Sequence, residues 1–151
     1  MTQFKIVDDI LDFAIENETE AQKFYAGLAA KMDNPITKRV FLDFAAEEQN
    51  HRKLLENAKK GKTINIGGDK IADLKIAEYA VDIVPTPDMD YQAALILAMK
   101  KEKAAFALYS DLAAAAKDPA VKKLFASLAQ QEAKHKLRFE LEYDEVVLKE
   151  D

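Results

Sequence analysis

The chain has no cysteine. That excludes disulfides, thiolate zinc sites, iron–sulfur clusters and any iron centre held by four cysteines. If the protein handles metal, oxygen and nitrogen must ligate it, and the nitrogen can come from only two histidines, His51 and His135. Glycine and proline are also scarce, four of each in 151 residues. With abundant Ala, Leu, Lys and Glu, that scarcity predicts an all-helical chain of one domain, residues 1–151. There is no basic excess. A net charge of −5 argues against a nucleic-acid or anionic-membrane partner. Long apolar runs are missing too, since AALILAM (93–99) falls far short of the ~20 residues of a membrane span. The opening stretch carries acids where a signal peptide would be basic and then apolar, so a cytoplasmic location is expected.

What is present is helical periodicity. From about Phe4 to Met32, the residues Leu11, Ala14, Ile15, Ala21, Tyr25, Leu28 and Ala29 share a stripe. Asn34 and Pro35 read as the N-cap and first residue of a second helix, whose inner stripe is Thr37, Phe41, Phe44, Leu55 and Ala58. It runs to Lys60, with Gly61 placed to cap its end. Residues 61–89 carry the breakers GG and PTP, with a short helix expected over Asp69–Ala80. A third helix is expected from about Asp90 to Lys117. Asp118 and Pro119 repeat the cap-and-proline device before a fourth, reaching about Val147. The expected core phenylalanines are Phe41, Phe44, Phe106, Phe125 and Phe139. Two hairpins, about 4–60 and 90–147, joined by a long crossover form an antiparallel four-helix bundle of the ferritin-like kind.

The two hairpins repeat each other. Sliding the chain by 84 positions gives 13 identities between the 42 residues 14–55 and residues 98–139. Alanine inflates that count, but not the matches Glu18/Glu102, Tyr25/Tyr109, Pro35/Pro119, Glu48/Glu132 and His51/His135. Each half therefore has a Glu, a Tyr two turns later on the same face, and a Glu-x-x-His pair one turn apart. All lie on the apolar stripes. Four carboxylates near a core could not stay ionised without compensation. Two divalent cations would balance them, with two neutral imidazoles completing the coordination. One Glu from each of two helices plus Glu-x-x-His from each of the others is the dinuclear arrangement of such bundles. Helix salt bridges with nearby lysines would not explain the copied register. Glu16, Glu20 and Glu47 flank the stripes and read as solvated, as do Lys100, Lys101 and Lys103.

The segments ETEAQKFY (18–25), EQNH (48–51), EKAAFALY (102–109) and EAKH (132–135) resemble the di-iron domain of the rubrerythrin family, within the ferritin-like superfamily. The resemblance spans nearly the whole chain. It implies that Glu48 and Glu132 bridge two iron ions, with Glu18 and His51 completing one and Glu102 and His135 the other. It also implies that Tyr25 and Tyr109 donate hydrogen bonds to ligand carboxylates. Manganese or zinc also suits such ligands. The implied activity is reduction of hydrogen peroxide or dioxygen with electrons from an external donor protein, by a homodimer that exchanges hairpins in some relatives. Ferrous oxidation with iron storage, and a non-catalytic metal-stabilised module, are the competing readings. Two features depart from the family pattern. No rubredoxin-like domain accompanies these segments, and the extra Glu that rubrerythrins carry one turn after the third-helix ligand is Ala105, matching Ala21. The expected site is thus the symmetric six-ligand type, closer in this respect to bacterioferritin.

Overall fold

The computed structural model describes residues 2–61, 79–81, 85–86 and 89–150. They form four long helices: α1 Thr2–Ala30, α2 Pro35–Gly61, α3 Tyr91–Ala115 and α4 Pro119–Glu150. Among the described residues there is no strand, and no helix is long and apolar enough to cross a membrane. The helix expected over Asp69–Ala80 lies almost wholly outside the described residues. The chain divides into two compact units, Met1–Asp73 with α1 and α2, and Leu74–Asp151 with α3 and α4.

In the first unit, α1 buries Val7, Ile10, Leu11, Ala14, Glu18, Ala21, Tyr25, Leu28 and Ala29. Those steps of three and four keep one face turned inward. It packs against α2, which buries Phe41, Ala45, Glu48, His51 and Leu55. Thr37, Phe44 and Ala58, expected on the inner stripe, are only half-buried at its margin. The turn between the helices is closed by Lys31 and Met32 N–H groups donating to the Leu28 and Ala29 carbonyls at 3.1 Å. Asn34 then caps α2, its Oδ1 accepting from the N–H groups of Ile36 at 2.9 Å and Thr37 at 3.3 Å. Pro35 costs nothing there, because a first-turn residue has no intrahelical acceptor for its N–H. At the far end, Lys59 on α2 pairs with Asp12 on α1.

The second unit repeats the plan. Asp90 caps α3 by accepting from Ala93 N–H at 2.7 Å. Asp118 caps α4 by accepting from Ala120 N–H at 2.8 Å, with Pro119 in the first helical position. The buried stripe of α4 is Val121, Phe125, Leu128, Ala129, Glu132, His135 and Phe139. Beyond Phe139 the helix continues to Glu150, past the expected end near Val147. Tyr91 at the start of α3 ties this extension down by donating to Glu142 at 2.9 Å. Tyr79 likewise donates to Asp111 on α3 at 2.6 Å. One core expectation is corrected: Phe106 is 43% exposed. It lies past the edge of the α3 stripe, on the side of Lys103 and Ser110.

Candidate metal centre

Six side chains stand out by burial. Tyrosines aside, the buried polar or charged residues among those described are Glu18, Glu48, His51, Glu102, Glu132 and His135, each at most 2% exposed. A buried carboxylate is costly unless something compensates its charge. Here four of them sit on stripes that are otherwise apolar, apart from the two histidines.

Each unit gathers three of the six. In the first, Glu18 comes from α1, and Glu48 and His51 from successive turns of α2. One ligand atom from each lies within 4.8 Å of the others. Nδ1 of His51 is 3.6 Å from Glu18 Oε2 and 3.7 Å from Glu48 Oε1. In the second, Glu102 comes from α3, and Glu132 and His135 from α4. Their ligand atoms also lie within 4.8 Å of one another. Nδ1 of His135 is 3.8 Å from Glu102 Oε1 and 3.9 Å from Glu132 Oε2.

These separations distinguish two arrangements. A protonated imidazole clamped by carboxylates would draw them in to about 2.7–2.9 Å. All four distances are longer than a hydrogen bond. Atoms that share a metal ion at about 2.1 Å each lie roughly 3–3.4 Å apart, so the ligand atoms of either triad, within 4.8 Å of one another, would draw together around an ion. Charge fits as well. Two carboxylates and a neutral imidazole total −2, which one divalent cation balances. Of the cations next to the histidines, Arg52 pairs with Glu56 and Lys136 with Glu140. Nitrogen and carboxylate oxygen without sulfur is a donor set that suits iron, manganese or zinc.

The two tyrosines of the repeat are buried at 0% and 1% exposure. Tyr25 contacts Phe24 and, edge to face, Phe44, while Tyr109 stacks on Phe125 with ring centroids 6.3 Å apart. Of the acids expected to be solvated, Glu16, Glu20 and Glu47 are exposed. Lys100 and Lys103 are exposed as expected, and Lys101 is half-buried. Arg52 carried no role in the sequence reading, yet it reaches from α2 to Gln22 on α1 at 3.4 Å, one residue from His51.

The family model for rubrerythrin matches residues 9–143. The chain belongs to the rubrerythrin family. Two solved structures are similar to this rubrerythrin-family chain over most of its length. One, from Thermotoga maritima, is described as a ferritin-like diiron-carboxylate protein. It is 22% identical with a TM-score of 0.74, over 93% of this chain and 95% of that one. The other is a hypothetical protein from Pyrococcus furiosus, 24% identical with a TM-score of 0.66, over 89% of this chain and 86% of that one. A search of curated proteins finds no match. The fold is therefore the ferritin-like four-helix bundle, as the hairpin repeat predicts.

Proposed function

We propose that this protein is a non-haem di-iron oxidoreductase that reduces hydrogen peroxide or dioxygen in the cytoplasm, with electrons from an external donor protein. The observation that carries the reading is the coincidence of burial and repeat. The six buried polar or charged side chains among the described residues, tyrosines aside, form three identical pairs in the 84-residue register. Family membership and the likeness to a ferritin-like diiron-carboxylate protein support iron as the metal.

In this reading Glu18, Glu48 and His51 would hold one iron, and Glu102, Glu132 and His135 the other. Bound there, a ferrous pair would supply the two electrons that, with two protons, reduction of one hydrogen peroxide to two waters requires. The chain's own residues do the rest. Four carboxylates keep the pair near neutrality, so the charge added or removed in each cycle is small in absolute terms. The neutral imidazoles leave room for carboxylates to shift between one and two contacts. In this reading Tyr25 and Tyr109 hold carboxylate orientation by hydrogen bonding. The apolar stripes around the triads, with Leu128, Ala129 and Phe139 on α4, exclude bulk water and strengthen every electrostatic interaction inside.

The test is anaerobic loading with ferrous iron, metal analysis, and rapid mixing with peroxide or dioxygen followed by absorbance. The expected result is two irons per chain and a near-ultraviolet change that completes with one equivalent of peroxide. Silence toward both oxidants sinks the reading.

A further inference from the structure

The helix α4 carries a second regular pattern, on the side away from its metal ligands. Its buried stripe runs from Val121 to Phe139. At about 100° per residue, Gln130, Lys134, Leu137, Leu141, Asp144 and Leu148 all lie within about 40° of the opposite direction. All six are exposed. The leucines are 56%, 57% and 72% exposed. One exposed leucine is ordinary. Three in line along one helix are not. On α2 the exposed large hydrophobics are Ile36, Leu42 and Leu54, and there Leu42 is turned about 120° from the other two.

The spacing on α4 alternates four and three from Gln130 to Leu148, which is the rhythm of a coiled-coil seam. Two charges sit in that seam, and they choose the partner. Laid parallel and in register on a second copy, Lys134 meets Lys134 and Asp144 meets Asp144. Laid antiparallel about a twofold axis at residue 139, Lys134 meets Asp144 of the second copy at both ends. In that same register Leu137 meets Leu141, Leu141 meets Leu137, and Leu148 covers Gln130. Four leucines form two central layers, and a salt bridge closes each side. Any other partner would need these two charges in reversed order around two apolar residues. This chain supplies that pattern itself. The flanking Arg138 and Glu140 are half-buried, and Glu140 is held by Lys136 on its own helix.

We propose that two copies of this protein associate through the outer face of α4, antiparallel about a twofold axis, with Leu137 and Leu141 at the centre and Lys134–Asp144 pairs at both ends. No hairpin is exchanged. The contact lies on the side of α4 away from Glu132 and His135, so it does not depend on metal. The seam is about 28 Å long. That is short of a permanent interface, so the dimer is reversible, with a dissociation constant of about 10–100 µM.

Sedimentation velocity of the intact protein, over about 5 to 500 µM, tests this around the expected constant. Wild type should pass from monomer to dimer within that range. Leu141→Glu puts a carboxylate in both central layers and should weaken association at least about a hundredfold. Its melting curve at about 5 µM, where both proteins are monomers, should match wild type, because residue 141 is 57% exposed. Lys134→Asp and Asp144→Lys should each weaken the dimer about tenfold, and the two together should restore it. Because the chain has no cysteine, single cysteines report the register. A mixture of Lys134→Cys and Asp144→Cys proteins should cross-link under mild oxidation. Neither should do so alone, since like positions stand about 15 Å apart along the axis, beyond the reach of a disulfide. A monomer at every concentration, a dimer that survives Leu141→Glu, charge changes that do not rescue each other, or cross-linking of either cysteine variant alone overturns the proposal. None of these outcomes touches the metal-site reading.

Discussion

Glu18 reaches from α1 to place Oε2 3.6 Å from Nδ1 of His51 on α2. Two helices whose buried contact is largely apolar thus bring two candidate metal-ligand atoms together here. Their residues are 33 positions apart (51 − 18). An ion between them would bind the folded hairpin and not the unfolded chain, so its binding energy becomes folding energy. At a free metal concentration a hundred times the dissociation constant, one site adds about 2.7 kcal/mol. For a chain of this size the expected rise in midpoint temperature is about 5–10 °C. Thermal unfolding by circular dichroism, with ferrous iron or manganese and then with a chelator, checks it. His51→Ala should lower metal stoichiometry from two to one.

Glu47 and Glu48 are adjacent acids with opposite fates. Glu47 is exposed and Glu48 is 2% exposed. One residue of helix is a rotation of about 100°, enough to carry a side chain from the wet back to the core. Glu47→Ala should leave two metals bound, with at most a small affinity loss at low salt. Glu48→Ala should abolish binding at the first triad and weaken the second. Metal analysis after gel filtration separates the two cases.

Much of this was legible in the sequence because the repeat supplied what a single stretch could not. EQNH alone is a surface pair as readily as half a metal site. Paired with EAKH and with Glu18 and Glu102 in register, it marked all six buried residues. The helix starts were legible for a local reason: Asn34 and Asp118 act on N–H groups two or three residues away. Phe106 was misread because aromatic identity says nothing about position across a stripe, and its place past the edge emerges only once the partner helix fixes which way the face points.

Core and margin should therefore respond differently. Phe125 is fully buried against Tyr109, whereas Phe106 is 43% exposed. Phe125→Ala should cost about 3–5 kcal/mol through lost burial and a residual cavity. Phe106→Ala should cost less than about 1 kcal/mol. Urea unfolding of the apoprotein measures both.

Tyr91 gives a pH dependence remote from the metal ligands. Burial, and then its hydrogen bond to Glu142, hold its phenol above the ordinary tyrosine range. A raised value in the folded state means that the neutral form is the one folding favours. The stability it contributes is complete below the unfolded value of about 10 and is lost as pH rises beyond that. Ultraviolet difference titration near 295 nm of wild type against Tyr91→Phe should show the Tyr91 phenol ionising above the ordinary tyrosine range. In Tyr91→Phe the alkaline loss of stability between about pH 10 and 11 should be shallower.

If the triads hold metal as proposed, the apoprotein bears a stability cost that the ion removes. Glu102, Glu132 and His135 are each at most 2% exposed, and without an ion their charge must be accommodated in the core. Replacing a whole buried ionic group by apolar residues of similar volume is neutral or stabilising by about 1–4 kcal/mol, whereas removing one member alone is destabilising. The triple variant Glu102→Leu, Glu132→Leu, His135→Phe should thus unfold at higher urea than wild-type apoprotein. It should also bind one metal fewer and respond less to added ions. The single variant His135→Phe should fall below wild type, because it leaves two buried carboxylates with less compensation. If the triple variant is instead the less stable, these residues earn their place through folding, and a purely structural network becomes the better account of the second triad.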